Sequence, residues 1–262
     1  MDRVTREGNS MTERDISSVG APCWVDIFQP DAAAARGFYG ELFGWGFDDP
    51  VPLPTGAGDA YSAARLEGRL VAGIGQARLD GPGGWRTYVR VAGLEDTLAR
   101  VESAGGVRQS GPFALAHHGR MAGVTDATGV ALWLWEAGSR SHVELADEPG
   151  SWAMSALHTT DLTKAEEFYG AVFGWVLDES TDDPFAYWRL DEQVVAVAAA
   201  TDGAAVPPHW SVNFAVQDAD ALAEQAERLG GRVLLEPFDT PGFRNTLLGD
   251  PQGGVIAASG KE

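Results

Sequence analysis

The chain has 262 residues, 44% hydrophobic and 22% charged, a balance that supports a folded globular protein and argues against long disorder. Its length suggests two domains of ordinary size. A formal net charge of −19 disfavours the clustered Lys and Arg that nucleic acid or an anionic bilayer needs, so neither is an expected partner. Cys23 is the single cysteine, which rules out an intramolecular disulfide and a cysteine-built zinc cage.

Residues 1–20 are polar, lack the apolar segment of a signal peptide, and are expected to form a mobile tail. No run of about eighteen apolar residues follows, so the expected location is cytoplasmic. The segment CWVDIF (23–28) alternates in period two and reads as a strand. Asp31 then caps a helix, AAAARGFYGELFG, that stops at a glycine before Trp45. YSAARL and LVAGIG are strands around the turn EGR, and WRTYVRV is the next strand. The helix LEDTLARVESAGG follows, and GRMAGVT and VALWLWE close the set around the turn DATG.

The next segment, GSRSHVELADEPG (138–150), is polar, carries Gly and Pro, and reads as a linker. Beyond it the order repeats: the strand WAMSALH, the helix LTKAEEFYGAVFG, the strand WSVNFAV, the helix ADALAEQAERLGG and the strand GGVIAAS. The self-similarity reaches individual residues. FYGELFGW (38–45) answers FYGAVFGW (168–175), each seven residues after an aspartate, Asp31 or Asp161. AGGVRQSGPF (104–113) answers LGGRVLLEPF (229–238), and GRMAGVTDATG (119–129) answers FRNTLLGDPQG (243–253). Blocks recurring in one order at similar spacing mark a duplicated domain, with units at 21–137 and 151–260.

Tandem βαβββ units with an FYxxxFGW helix, an AGG helix end and a D-x-x-G turn before the last strand resemble the vicinal oxygen chelate superfamily. That group includes glyoxalase I, extradiol dioxygenases, and fosfomycin and bleomycin resistance proteins. The resemblance covers almost all of residues 21–260. It implies an α+β fold in which two βαβββ units curl a mixed sheet into a cup, with helices outside and ligands within. Strand alternation then assigns faces. Cys23, Val25 and Ile27 are expected to face the helices, as are Thr87, Val89, Val91, Leu132 and Leu134. Trp24, Asp26, Phe28, Arg86, Tyr88, Arg90, Trp133 and Trp135 are left inside the first cup. The second cup would hold Met154, Ala156, His158, Ser211, Asn213, Ala215, Val255 and Ala257.

The resemblance also implies where metal ligands would stand: Trp24, Arg86 and Trp133 in the first unit, Met154, Ser211 and Ala257 in the second. None is His, Glu or Gln, and divalent metals need converging donors of those kinds, so neither metal nor cofactor is expected. Two readings follow. The first is a metal-free protein that binds a small aromatic ligand, an antibiotic-like or secondary metabolite, in a resistance or accessory role. Its ligand would meet the eight first-cup residues together with His158 and Asn213, and the chain would be a pseudo-twofold monomer or a homodimer. The second is a glyoxalase-, dioxygenase- or hydroxylase-like enzyme. It would use unconventional ligands such as Asp26, His117, His158 or Glu136, or work without metal through His158 or the Asp26–Arg86 pair as acid and base. Arg120 and Arg244, matched in the repeat, either clamp an anionic group or pin their loops. His117 and His118 are expected to be an exposed rim pair.

Overall fold

A computed structural model describes residues 17–77, 84–115, 118–138, 143–179, 185–204 and 206–262. The chain builds two mixed sheets. The first comprises β1 (Pro22–Gln29), β2 (Gly46–Phe47), β3 (Val51–Pro52), β4 (Ala60–Leu66), β5 (Arg69–Gln76), β6 (Trp85–Val91), β7 (Val107–Ala114), β8 (Gly119–Thr125) and β9 (Ala131–Ala137). Its order is β2-β4-β5-β1-β6-β9-β8-β7, with β3 on β4. The second comprises β10 (Trp152–Thr159), β11 (Val176–Glu179), β12 (Ala186–Leu190), β13 (Gln193–Ala200), β14 (His209–Val216), β15 (Arg232–Thr240), β16 (Phe243–Gly249) and β17 (Val255–Lys261). Its order, β11-β12-β13-β10-β14-β17-β16-β15, repeats that of the first.

Each sheet joins two βαβββ modules through one antiparallel seam, β1 with β6 and β10 with β14. The helices are α1 (Ala32–Phe43), α2 (Leu94–Ser103), α3 (Leu162–Phe173) and α4 (Ala219–Arg228). Asp31, Asp161 and Asp218 cap α1, α3 and α4 by accepting a backbone N–H of the first turn. Both FYxxxFGW helices end at a left-handed glycine, Gly44 (φ 75°) and Gly174 (φ 77°), which frees the next tryptophan to turn back under the helix.

Each sheet is built from one repeat, but the hydrophobic cores draw on both. One core joins β1, α1 and β5 of the first repeat to Val212, Phe214, Leu222, Ala226 and Ile256 of the second. The other joins Val89, Leu94, Leu98, Val101, Leu132 and Leu134 to α3 and to Trp188 and Trp210. Each FYxxxFGW helix therefore lies against the other repeat. Tyr39 donates to Asp250 at 2.7 Å, and Tyr169 donates to Asp126 at 2.8 Å. Trp45 donates to the carbonyl of Gly150 and Trp175 to that of Gly20, each at 2.7 Å. The second glycine of each helix-end motif has a steric reason too. A Cβ at Gly106 would press on the Phe168 ring, and one at Gly231 on the Phe38 ring.

Two expectations change here. The segment 138–150 is more than a polar tether, because Val143 and Leu145 are buried in the first core and Val143 N–H bonds the carbonyl of Cys23. Of the expected tail, residues 1–16 lie outside the described residues, while Gly20 is held by Arg90 and Trp175 backbone and side-chain bonds. The edge strands β7 and β15 were not read from the sequence, since each is bulged and largely exposed, which blurs its alternation.

Candidate functional site: two cups on one fold

Thr87, expected to face the helices, instead bonds Ser155 of the second sheet at 2.8 Å. Cys23, Val25 and Ile27 are fully buried toward the helices, and Val89, Val91, Leu132 and Leu134 pack in the second core. On the opposite face the register Trp24–Tyr88–Trp133 runs across three strands, and Asp26 stands beside Arg86. The structure thus brings together Trp24, Asp26, Phe28, Arg86, Tyr88, Trp133 and Trp135, with Arg90 one step along β6 opposite Trp135.

What fills the first cup is the protein itself. Trp24 and Phe28 are 4% exposed, and Asp26 and Tyr88 are 2% exposed. The rings lie down on glycines. A Cβ on Gly75 would collide with Phe28 and one on Gly73 with Tyr61, while one on Gly123 would press tightly on Trp133. Tyr61 is a member that the sequence reading missed. The alternation of β4 would have placed it on this face, and it joins the hydrogen bonds at the floor. Trp24 Nε1 donates to Tyr61 Oη at 2.8 Å, and Tyr61 and Tyr88 both donate to Asp26 Oδ2, at 3.2 and 2.8 Å. Burial pushes the Asp26 carboxyl up from 3.8 to about 6 against the lowering effects of Arg86 and the two tyrosines. Arg86 does not pair with it. Its guanidinium lies over the rings of Phe28 (4.0 Å) and Trp133 (4.7 Å). Asp26 Oδ1 and Arg86 Nη1 are buried without a hydrogen-bond partner among the described residues.

The second cup has the same frame and smaller contents. Met154, Ala156, His158, Ser211, Asn213, Ala215 and Ala257 are all half-buried and share one face of the second sheet. The register continues Met154–Asn213–Ala257–Leu247–Leu235 to a rim on which Leu235, Phe238 and Val255 stand 49%, 38% and 39% exposed. Beside Ser211, Val255 and Ala257 opens a cavity of about 180 Å³, walled by Trp85, His209 and Leu247. His158 Nε2 lies 3.1 Å from Ser211 Oγ, and its ring stacks on His209 at 4.6 Å. Burial first, then His209, lowers the His158 pKa from 6.5 to about 4, so the ring is neutral at pH 7. Asn213 is occupied by Ser259, which also bonds Asn245. His209, Ser259 and Asn245 were not anticipated; extending the β14 alternation by one residue would have found His209.

Arg120 pairs with Glu136 and Glu95, and Arg244 with Asp220 and Asp239, so both pin their strands to a helix start. Glu136 also accepts the N–H of Leu94 and is thereby engaged twice. Burial pushes the Cys23 thiol up to about 12, which makes it unreactive. His118 is exposed, and His117 lies outside the described residues.

The comparisons agree with this architecture. A family model described as a glyoxalase-like domain matches residues 154–258. CFP32 of Mycobacterium tuberculosis, which carries a provisional glyoxylase name, is 36% identical over 256 residues, 94% of this chain and 97% of that protein. The anthracycline biosynthesis protein DauV of Streptomyces sp. strain C5 is 36% identical over 255 residues, 89% of this chain and 90% of that protein. Among solved structures, the Mn(II)-bound glyoxalase of Novosphingobium aromaticivorans superposes with TM-score 0.60 at 17% identity, covering 92% of this chain and 82% of that one. The 2,3-dioxygenase LapB of Pseudomonas sp. KL28 gives TM-score 0.63 at 11% identity, covering 93% and 94%.

A manganese-type site does not fit the residues present. The implied positions carry two indoles and a guanidinium in the first cup, and a thioether, a hydroxyl and a methyl in the second. Among the described residues no three His, Cys, Asp or Glu side chains converge on one point, and no helix is long and apolar enough to cross a membrane. With this fold, this duplication and relatives matched over nearly their whole length, the chain belongs to the vicinal oxygen chelate superfamily, in its glyoxalase-like branch.

Proposed function

We propose that the protein binds a small, neutral aromatic metabolite without a metal, and that the ligand sits in the second cup. The observation that carries this reading is the contrast between two cups of one frame. The first is filled by its own rings seated on Gly73, Gly75 and Gly123, whereas the second has a half-buried floor of small side chains and an exposed apolar rim. Apolar concavities with a few fixed polar groups are the usual form of organic-ligand sites. A cavity of about 180 Å³ accommodates one ring, with the rest of a planar molecule lying along the floor toward Leu235 and Phe238. The floor offers hydrogen bonds from Ser211 and His158 but no charge, which suits a neutral ligand. Similarity to an anthracycline biosynthesis protein supports a polycyclic aromatic ligand and an accessory role in secondary metabolism.

An enzyme in the same cup would have to rest on His158. A ring held near a pKa of 4 is a weak proton acceptor at neutral pH, so His158 serves better as a hydrogen-bonding group. The test is a titration with a neutral hydroxyanthraquinone in the presence of chelator, followed by tryptophan fluorescence, since Trp85 lines the cavity. Saturable quenching without product is expected. Ala257→Phe should weaken it at least about tenfold and Trp133→Ala should leave it unchanged, by the cost of overfilling a packed site. The opposite pattern would move the ligand to the first cup, and chelator-sensitive turnover would overturn the binding reading.

A further inference from the structure

We propose that the first cup is a second ligand site, an aromatic cage for an organic ammonium ion, in which Arg86 is the resident cation that a ligand must displace. Two independent features point there. The guanidinium of Arg86 lies over two rings, Phe28 at 4.0 Å and Trp133 at 4.7 Å, the arrangement by which aromatic walls hold a cation. Asp26, its cross-strand neighbour, is 2% exposed and keeps Oδ1 without a donor while Oδ2 takes both tyrosine hydroxyls. A buried carboxylate oxygen left bare beside a cation that does not reach it is costly, because desolvation is only partly compensated.

A primary ammonium would satisfy both features at once, donating to Asp26 Oδ1 while its charge replaces that of Arg86 against the rings. Arg86 is the movable piece. It is half-buried, has no ion pair among the described residues, and carries a flexible stem that can swing its head to solvent, whereas Trp24, Phe28 and Tyr88 are held under packing. The net charge of −19 draws cations toward the molecule and repels anions of the same size. The site is independent of the second cup, which takes an uncharged ligand, so either proposal stands if the other fails.

The test uses benzylammonium and benzoate, equal in ring and opposite in charge, titrated into the full chain with tryptophan fluorescence as readout. The wild type is expected to bind benzylammonium in preference to benzoate. Arg86→Met removes the resident cation and is expected to tighten benzylammonium at least tenfold, while Arg86→Lys, which keeps a cation, does not. Adding Asp26→Asn to the Arg86→Met chain should abolish the gain. Arg86→Gln serves as the second variant where the methionine chain does not show a cooperative melt. Benzoate binding that disappears in Arg86→Met would make Arg86 an anion clamp and overturn the proposal. A folded Arg86 variant that binds benzylammonium no better than wild type would overturn it as well, leaving the first cup as core.

Discussion

Asp26 and His158 occupy equivalent faces of the two cups, and burial acts on them in opposite directions. Asp26 moves from 3.8 to about 6, so between those values the folded chain keeps a proton that the unfolded chain has released. Stability therefore falls as pH rises through that window, by on the order of 2–3 kcal/mol for a shift of about two units. His158 moves from 6.5 to about 4, so the unfolded chain takes up a proton first as the solution is acidified. Its contribution is fully present above pH 6.5 and is lost as pH falls toward 4. The two slopes oppose each other and partly cancel in the wild type. Urea unfolding from pH 4.5 to 7.5 separates them. Asp26→Asn should gain on the wild type as pH rises, and His158→Gln should gain as pH falls. Curves that run parallel to the wild type would mean that neither group is desolvated as the packing indicates. The faces of both residues were legible from strand alternation alone. Whether a cup is full or empty was not, because that depends on which glycine lies beneath a ring on the neighbouring strand, such as Gly75 under Phe28.

The FYxxxFGW helix is a clasp between repeats, and its two copies differ in a way that can be measured. The turn carboxylates Asp126 and Asp250 each use Oδ1 to hold their own D-x-x-G turn. Oδ2 of Asp250 accepts from Tyr39 and also from Gln29 at 2.6 Å, while Oδ2 of Asp126 accepts from Tyr169 at 2.8 Å. Trp85 and Trp210 donate in turn to the two tyrosine hydroxyls. Removing the Tyr169 hydroxyl strips Asp126 Oδ2 of its tyrosine donor, whereas Asp250 retains Gln29 after loss of Tyr39. Hydrogen bonds to buried charged groups contribute roughly 1.5–3 kcal/mol. Tyr169→Phe should therefore cost about 2 kcal/mol and Tyr39→Phe about half as much, read as a shift in denaturation midpoint at constant slope. Equal losses would deny Gln29 its supporting role. The motif was visible in the sequence as a repeated block. Its purpose was not, since the partner of each tyrosine lies 211 or 43 residues away in the other unit.

At the scale of the molecule each sheet belongs to one repeat, while the hydrophobic cores cross between them. The repeats at 21–137 and 151–260 follow the alignment of the chain with itself, but each hydrophobic core draws residues from both repeats. Phe43 packs on Phe214 with ring centroids 4.9 Å apart, and Thr87 bonds Ser155 across the two sheets. The joining segment is part of this arrangement, since Leu145 is buried and the backbone of Glu144 and Leu145 bonds the carbonyl of Leu70. A repeat expressed alone would expose the helix face that its partner covers, and with half of each core missing the remaining burial cannot offset chain entropy. Fragments 17–146 and 147–262 should each lack a cooperative thermal transition and should regain one when mixed, with a midpoint that rises with concentration as mass action requires. An isolated fragment that melts cooperatively as a monomer would show that the repeats are autonomous domains after all.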